Sequence, residues 1–441
     1  MKMDPERIVD KALALGADDA VVQATDAHTV QVKFVESQAE VTQGWNHRRL
    51  EIFLSVDKKI GSTTVTAQDD RGIEDVLEKL LARARVVTPK EDYYGIAEGP
   101  YEYRKIKGLF DRKIRDLQDY GDITGAAIDA CHEAGISRTA GVFETTVFTR
   151  EISTSGGVDA EDEGTSVLLS IRAFGENGGS GHAVSCAREL ENFEPGRAGS
   201  EAGEIAALAE NPGEGDKGRF RVLFHPLAFA PILENAGEAA SIFAVEAGFS
   251  FLGGKLNERV GGENFTLIDD GTLEGGLLSR PFDAEGVPTQ RNTVVDRGIL
   301  RKYLHNTSTA KKYGTTTTAN AGLLSPRPWN IILPPGETRE DEMLSELGSG
   351  IYVTNVWYTR FQNYTAGDFS TVPRDGAFLV RDGEIAGSIS GIRITDNMTR
   401  IFQNISRLSR ETRQIKSWEV SGSVITPWAI VEDVGISRAT E

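Results

Sequence analysis

The sequence predicts an α+β fold in two domains: N-terminal helices packed on a curved antiparallel sheet, then a β-rich C-terminal domain with a few helices. Three features predict it. Helix-period segments stand apart, separated by runs of several strand signals, and do not alternate one for one with strands as a doubly wound parallel sheet requires. Strand candidates are joined by short hairpin-type turns such as Arg297-Gly298 and Asp382-Gly383. One stretch, Asn211 to Gly218 (NPGEGDKG), has the composition of a linker. It divides the 441 residues into 1–211 and 219–441, with 212–218 between them.

Taken in order, Asp4 to Ala17 reads as a helix, with Asp4 as cap, Pro5 at the first helical position, and Ile8, Ala12 and Leu15 near one face. Strand signals follow at 20–23, 29–34, 50–56 and 61–66; the second alternates polar and apolar residues, as a strand covered on one face does. Gly72 to Val86 returns to helical spacing, burying Val76, Leu77, Leu80 and Leu81. Residues 87–109 carry four tyrosines and two prolines and read as a loop pinned by aromatics. Asp111 to Ala134 reads as one long helix, and strands follow from Gly141 to Ile171. A helix over about Pro195 to Glu210 closes the first domain. The second opens with a strand, Arg219 to Phe224, and a helical stretch, Pro226 to Glu246; a further helix is expected at Arg339 to Leu347. Val294 to Leu304 and VRDGEIAGSI each read as strand, glycine turn, strand.

Composition bounds the function. A formal charge of −18 argues against coating nucleic acid through its phosphates, and the sequence has no basic cluster interleaved with aromatics. No apolar run reaches the ~20 residues of a membrane helix, and the N-terminus has acids inside its only apolar stretch, unlike a signal peptide. Two distant cysteines, Cys131 and Cys186, make neither a disulfide framework nor a zinc-ribbon spacing, so a cytoplasmic location is expected.

No catalytic constellation stands complete in the sequence. His132-Glu133 opens like a metalloprotease motif, but positions 136 and 137 are Ile and Ser, and a histidine at a helix end suits the helix dipole. His225 and His305 have no partner at ligand spacing. Gly175 to Gly181 resembles a phosphate loop only in its glycines; it lacks the strand-to-helix context and the Lys-Ser/Thr pair, so a β-turn is expected. Ser185 and Cys186 follow His182, but adjacency in sequence does not make a nucleophile–base pair. Asp283 and Glu285 fit turn stabilisation better than paired acid–base work.

The stretch from Glu274 to Gly322 carries the most specific signal. The strings SRPFDAEGVPTQRN, RGILRKYL and TANAG, in that order and spacing, resemble the TldD/PmbA family, whose members are known as DNA gyrase modulators or zinc-dependent proteases. The resemblance covers nearly the whole chain. It implies a zinc site built from an HExxxH helix and a cysteine near the C-terminus, the glutamate acting on zinc-bound water. In ungapped register Ile232 and Gly237 stand at the two histidine positions and Leu233 at the glutamate; the segment matching the cysteine, Ser417 to Pro427, contains none. The chain thus resembles the PmbA (TldE) branch, metal-free partners of a zinc-bearing TldD subunit. The resemblance implies a heterodimer that encloses extended or unfolded peptides. No cofactor is expected in this chain, and zinc is expected in the partner. A polar segment, Glu36-Ser37-Gln38-Ala39, matches a family strand pair and is the candidate peptide-binding element, by addition of a strand to a sheet edge. Two alternatives stay open: a metallopeptidase in its own right with other ligands, drawing on His225 or His305, and a homodimeric, non-enzymatic peptide-binding or regulatory protein. None of the three readings needs direct contact with nucleic acid or membrane.

Overall fold

A computed structural model describes residues 4–66 and 70–438. The N-terminal half is built on six strands: β1 (Asp19–Val35), β2 (Gln38–Val56), β3 (Lys59–Thr66), β4 (Arg138–Thr154), β5 (Asp159–Phe174) and β6 (Ser180–Ala187). They form one antiparallel sheet in the order β3-β2-β1-β4-β5-β6. The middle strands are 16 to 19 residues long, far beyond the ~5–6 of an average strand.

Helices cover one face. The helix α1 (Pro5–Ala14) begins as expected, with the Asp4 carboxylate accepting from Glu6 N and proline in the first turn. Together with α2 (Asp70–Val86) it packs Ile8, Ala12, Leu77 and Leu81 on Val22, Ala24, Leu50 and Ile52. The expected long helix over 111–134 is two: α3 (Arg112–Arg115) and α4 (Tyr120–Glu133). Asp116 and Asp119 bracket the break: the Asp116 carboxylate is held by the Arg115 guanidinium, and Asp119 precedes α4 without a side-chain cap bond. Against α4 lies α5 (Pro195–Leu208), at a crossing made of small residues. A Cβ on Gly199 would stand 2.0 Å from the Ala127 carbonyl oxygen, so only glycine permits this approach.

The predicted linker is partly built into the fold. Its Gly213 and Glu214 pair in parallel with Ile389 and Ser390, and Ser388 Oγ donates to the carbonyls of Ala209 and Glu210. The C-terminal half is a 14-stranded sheet organised on the last strand, Ser423–Arg438. Unlike the first sheet it is mixed: 330–332 runs parallel to 423–425, and 351–353 parallel to 222–224. Both glycine hairpins form. Arg297-Gly298 and Asp382-Gly383 each hold two consecutive positive φ values, which matches the twist of the flanking strands. The expected helical stretch 226–246 divides into α6 (Pro226–Ala239) and α7 (Ile242–Glu246) at Ser241, whose hydroxyl donates to the Pro326 carbonyl. At 339–347 a 3-10 turn, Glu340–Glu342, precedes the short helix Met343–Leu347.

The two halves are bolted together. Arg188, buried, donates to the carbonyls of Gly276 and Ser279; Arg280 Nη2 donates to Gln23 Oε1 at 2.9 Å. The 87–109 loop is pinned by its aromatics, as its composition suggested, and reaches both halves. Tyr93 Oη donates to Asp19 and Tyr103 Oη to the Gly286 carbonyl. Among the described residues no helix is long and apolar enough to cross a membrane.

Candidate functional site

Helix α6 stands where the resemblance places zinc ligands. His225 caps it, its Nδ1 accepting from Leu227 N at 3.2 Å, and its Nε2 lies 3.2 Å from the Glu201 carboxylate. The ring meets Trp428 edge-on at 5.0 Å. Ile232 and Leu233 are both 0% exposed and belong to the main C-terminal core. A Cβ at Gly237 would lie 2.5 Å from Ile331 Cδ1. The helix does touch the 417–427 segment, but through Glu234, whose Oε1 accepts from Gly422 N at 2.7 Å and Ser421 Oγ at 3.3 Å. Burial pushes the carboxyls of Glu234 and Glu238 up. Two aliphatic side chains and a glycine offer zinc no donor atom, so these residues do not fit the ion. Among the described residues no group of three or more His, Cys, Asp or Glu side chains converges to hold a metal.

The remaining candidates are structural in their contacts. His132 Nε2 lies 3.3 Å from Ser37 Oγ at the end of α4. His182 is buried between Ser170 Oγ (3.0 Å) and Asn355 Nδ2 (3.2 Å), the latter also donating to Asp375. An Asn donor on Nδ1 leaves the proton on Nε2, so this imidazole donates to Ser170 and is no base for it. Burial pushes His182 down to about 4. His305 contacts Thr309 Oγ1 at 3.3 Å, and burial pushes it also to about 4. Ser185 Oγ accepts from Glu194 N; Cys186 Sγ donates to the Gln414 carbonyl, and burial pushes its thiol up to about 12. The glycine segment 175–181 is the turn between β5 and β6, closed by Gly175 N to the Gly179 carbonyl. Asp283 accepts from the backbone N–H groups of Glu285, Val287 and Ala321, and Glu285 accepts from Thr307 N. Burial pushes both carboxyls up, and the Asp283 charge adds to the rise at Glu285.

Glu36 and Ser37 form the β1–β2 turn with positive φ, and Ser37 Oγ donates to the Ser137 carbonyl; Gln38 and Ala39 open β2, paired to Val35 and Phe34. The free edge begins at Gln38. β3 pairs only with Arg49–Val56, so Gln38–Arg48 has no strand on its outer side among the described residues. Val41 (43% exposed) and Trp45 (37%) project from this free segment.

The sheet face opposite the helices is open over part of its length and roofed by the C-terminal domain over the rest. Register puts Gln23 beside Glu51, Thr25 between Arg49 and Arg150, Ala27 between His47 and Phe148, and Thr29 between Trp45 and Thr146, all on this face. The roof consists of the loops around Arg280 and Gly322–Arg327, with Lys416. The half-open cleft between floor and roof has a volume of about 630 Å³. It escaped the sequence because its walls come from six separate stretches; the one local signal is an arginine near an aromatic, Arg280 with Phe282 and Arg327 with Trp329.

The structure is thus a two-domain α+β protein with a cleft floored by long strands and a helix, α6, whose Ile232, Leu233 and Gly237 are closely packed core. Comparison narrows the class. Residues 110–210 match the PmbA/TldA metallopeptidase central domain, and 217–438 match the C-terminal domain of the same family. The chain belongs to the PmbA/TldD metallopeptidase family. It is 27% identical to an uncharacterized protein of Methanocaldococcus jannaschii over 84% of this chain and 85% of that protein. It is 32% identical to the metalloprotease PmbA of Escherichia coli O157:H7 over 40% of this chain and 38% of that one. A Thermotoga maritima chain described as a DNA gyrase modulator superposes with TM-score 0.86 at 25% identity over 98% of both chains. TldE from Thermococcus kodakarensis has the same fold, with TM-score 0.87 over 98% of this chain and 99% of that one at 20% identity.

Proposed function

We propose that this chain is the metal-free, PmbA/TldE-like subunit of a heterodimeric metallopeptidase. It encloses and holds extended peptide, while a TldD-type partner supplies zinc and the glutamate base. One observation carries the reading: Ile232, Leu233 and Gly237 occupy the ligand positions as closely packed core, and among the described residues no cluster of donor side chains elsewhere is poised to replace them. The free outer side of Gln38–Arg48 supports peptide capture by strand addition, in which backbone hydrogen bonds give affinity without sequence preference. This moves the capture element along β2 from the turn residues Glu36 and Ser37.

The test is elemental analysis and peptide hydrolysis on the chain alone, on a TldD-type chain alone, and on the two co-expressed. Zinc near zero in this chain, with chelator-sensitive cleavage of an unfolded peptide only by the co-purifying pair, is the expected result. One zinc per chain, or cleavage by this chain alone, overturns it. A homodimer that ignores the TldD-type chain and cleaves nothing would favour a non-enzymatic peptide-binding protein.

A further inference from the structure

The cleft has a charge opposite to that of the chain. The whole protein carries −18, yet the cleft is lined by Arg49, Arg150, Arg280, Arg327 and Lys416 against one carboxylate, Glu51. Glu51 is already engaged by Gln23 Nε2 at 2.8 Å and Arg49 at 3.3 Å. Arg150 is paired with Asp162 at 3.1 Å. Arg280 and Arg327 are different: among the described residues neither has a carboxylate within 4 Å.

Arg280 is 4% exposed. Its one side-chain hydrogen bond goes to a neutral acceptor, Gln23 Oε1, and its buried Nε has no partner. The nearest acids are spoken for, Asp162 by Arg150 and Asp283 by three backbone N–H groups. Glu238, near Arg327, has its carboxyl pushed towards the neutral form by burial. Both arginines lie over the one ring of Trp329, at 5.0 and 5.1 Å, a stack that holds the two guanidinium groups in place without neutralising them. Burial pushes both below the usual guanidinium value, and the Arg327 charge adds to the fall at Arg280. A buried guanidinium without a counter-charge is a costly arrangement, and a planar fork of donors is matched by a carboxylate.

We propose that the roofed end of this cleft is a carboxylate-binding subsite, in which Arg280 and Arg327, assisted by Arg49 and Lys416, receive the carboxylate of an extended peptide lying along the open sheet face. This rests on the peptide-holding reading above and names the chemical feature held. The floor supports it: from Trp45 to Arg49 along β2 is four residues, about 13 Å at strand rise, so a short extended segment reaches from the exposed Trp45 ring to the cationic end. The carboxylate comes either from a peptide C-terminus or from an Asp or Glu side chain.

The test uses the full chain and three fluorescent decapeptides of one uncharged unfolded sequence: free C-terminus, amidated C-terminus, and amidated with one internal Glu. Binding is read by anisotropy at two salt concentrations. At least tenfold tighter binding of the free acid than of the amide, weakened by salt and lost in R327Q, assigns the subsite to chain ends. Equal tight binding of the free acid and the Glu peptide, both lost in R327Q, assigns it to carboxylates of either source. Equal binding of all three peptides, unchanged in R327Q, overturns the subsite and leaves peptide holding intact. Binding of none overturns both. R280K, which keeps the charge and removes the fork, is expected to weaken the free acid several-fold; together with R327Q it separates loss of charge from loss of fold, checked by unchanged circular dichroism.

Discussion

Replacing Ile232 by histidine restores the first family ligand at its own position, and the structure gives the size of the penalty. The side chain is wholly buried among aliphatic and aromatic neighbours. Losing it forfeits about 1.5–3 kcal/mol of burial, and an imidazole without a hydrogen-bond partner adds about 1–3 kcal/mol. The sum is roughly 2.5–6 kcal/mol, a large fraction of a marginal stability. For a domain the size of 217–438, each kcal/mol moves Tm by about 2–4 °C, so a drop of about 5–24 °C is expected. Differential scanning calorimetry, with and without zinc, checks it. Adding Leu233→Glu and Gly237→His, the latter colliding with Ile331, should leave the domain unfolded or insoluble. A well-folded I232H with Tm within ~2 °C of the parent, or a triple variant holding one zinc, would refute the view that this helix is core and not a dormant metal site.

Other expectations concern glycines and buried acids and bases. Gly125→Ala in α4, where a Cβ meets nothing within 4 Å, should stabilise by about 0.5–1 kcal/mol; Gly199→Ala, against the Ala127 carbonyl, should destabilise by about 1–3 kcal/mol or more in denaturant titration. Glu285 has its folded pKa raised by burial and by Asp283, so its contribution is fully present below the ordinary carboxylate range and is lost as pH rises through the folded value. E285Q keeps an acceptor for Thr307 N and should therefore gain stability over the parent at alkaline pH, read as Tm at pH 6 and pH 9. His182, depressed to about 4, works in the other direction: its contribution is present above about pH 6.5 and lost as pH falls towards 4. H182Q should flatten the acid limb of the stability profile over that window.

Local grammar made much of the fold legible. Asp4-Pro5 announced α1, and Arg297-Gly298 and Asp382-Gly383 announced two hairpins, because caps and tight turns depend on residues adjacent in sequence. The break at 116–119 and the parallel strand pairs of the second sheet were not legible, since each is decided by what packs from elsewhere. The unsuitability of α6 for zinc was readable from Ile232, Leu233 and Gly237 alone. The cleft was not: Gln23, Arg49, Arg150, Arg280 and Arg327 are scattered over some three hundred residues and meet only through strand register and domain docking. A scan for basic runs finds nothing in such a pattern.

The contacts that bolt the two halves together also set what can be admitted. Arg280 to Gln23, Arg188 to the 276–279 loop, and Tyr103 to the Gly286 carbonyl across the seam fix the roof over the sheet at several points. The cleft beneath this roof, about 630 Å³, is of the size that holds a small molecule. If the chain holds peptide as proposed, the seam would admit a chain end and turn away a folded domain, a sieve that sorts by state of folding before any chemistry begins.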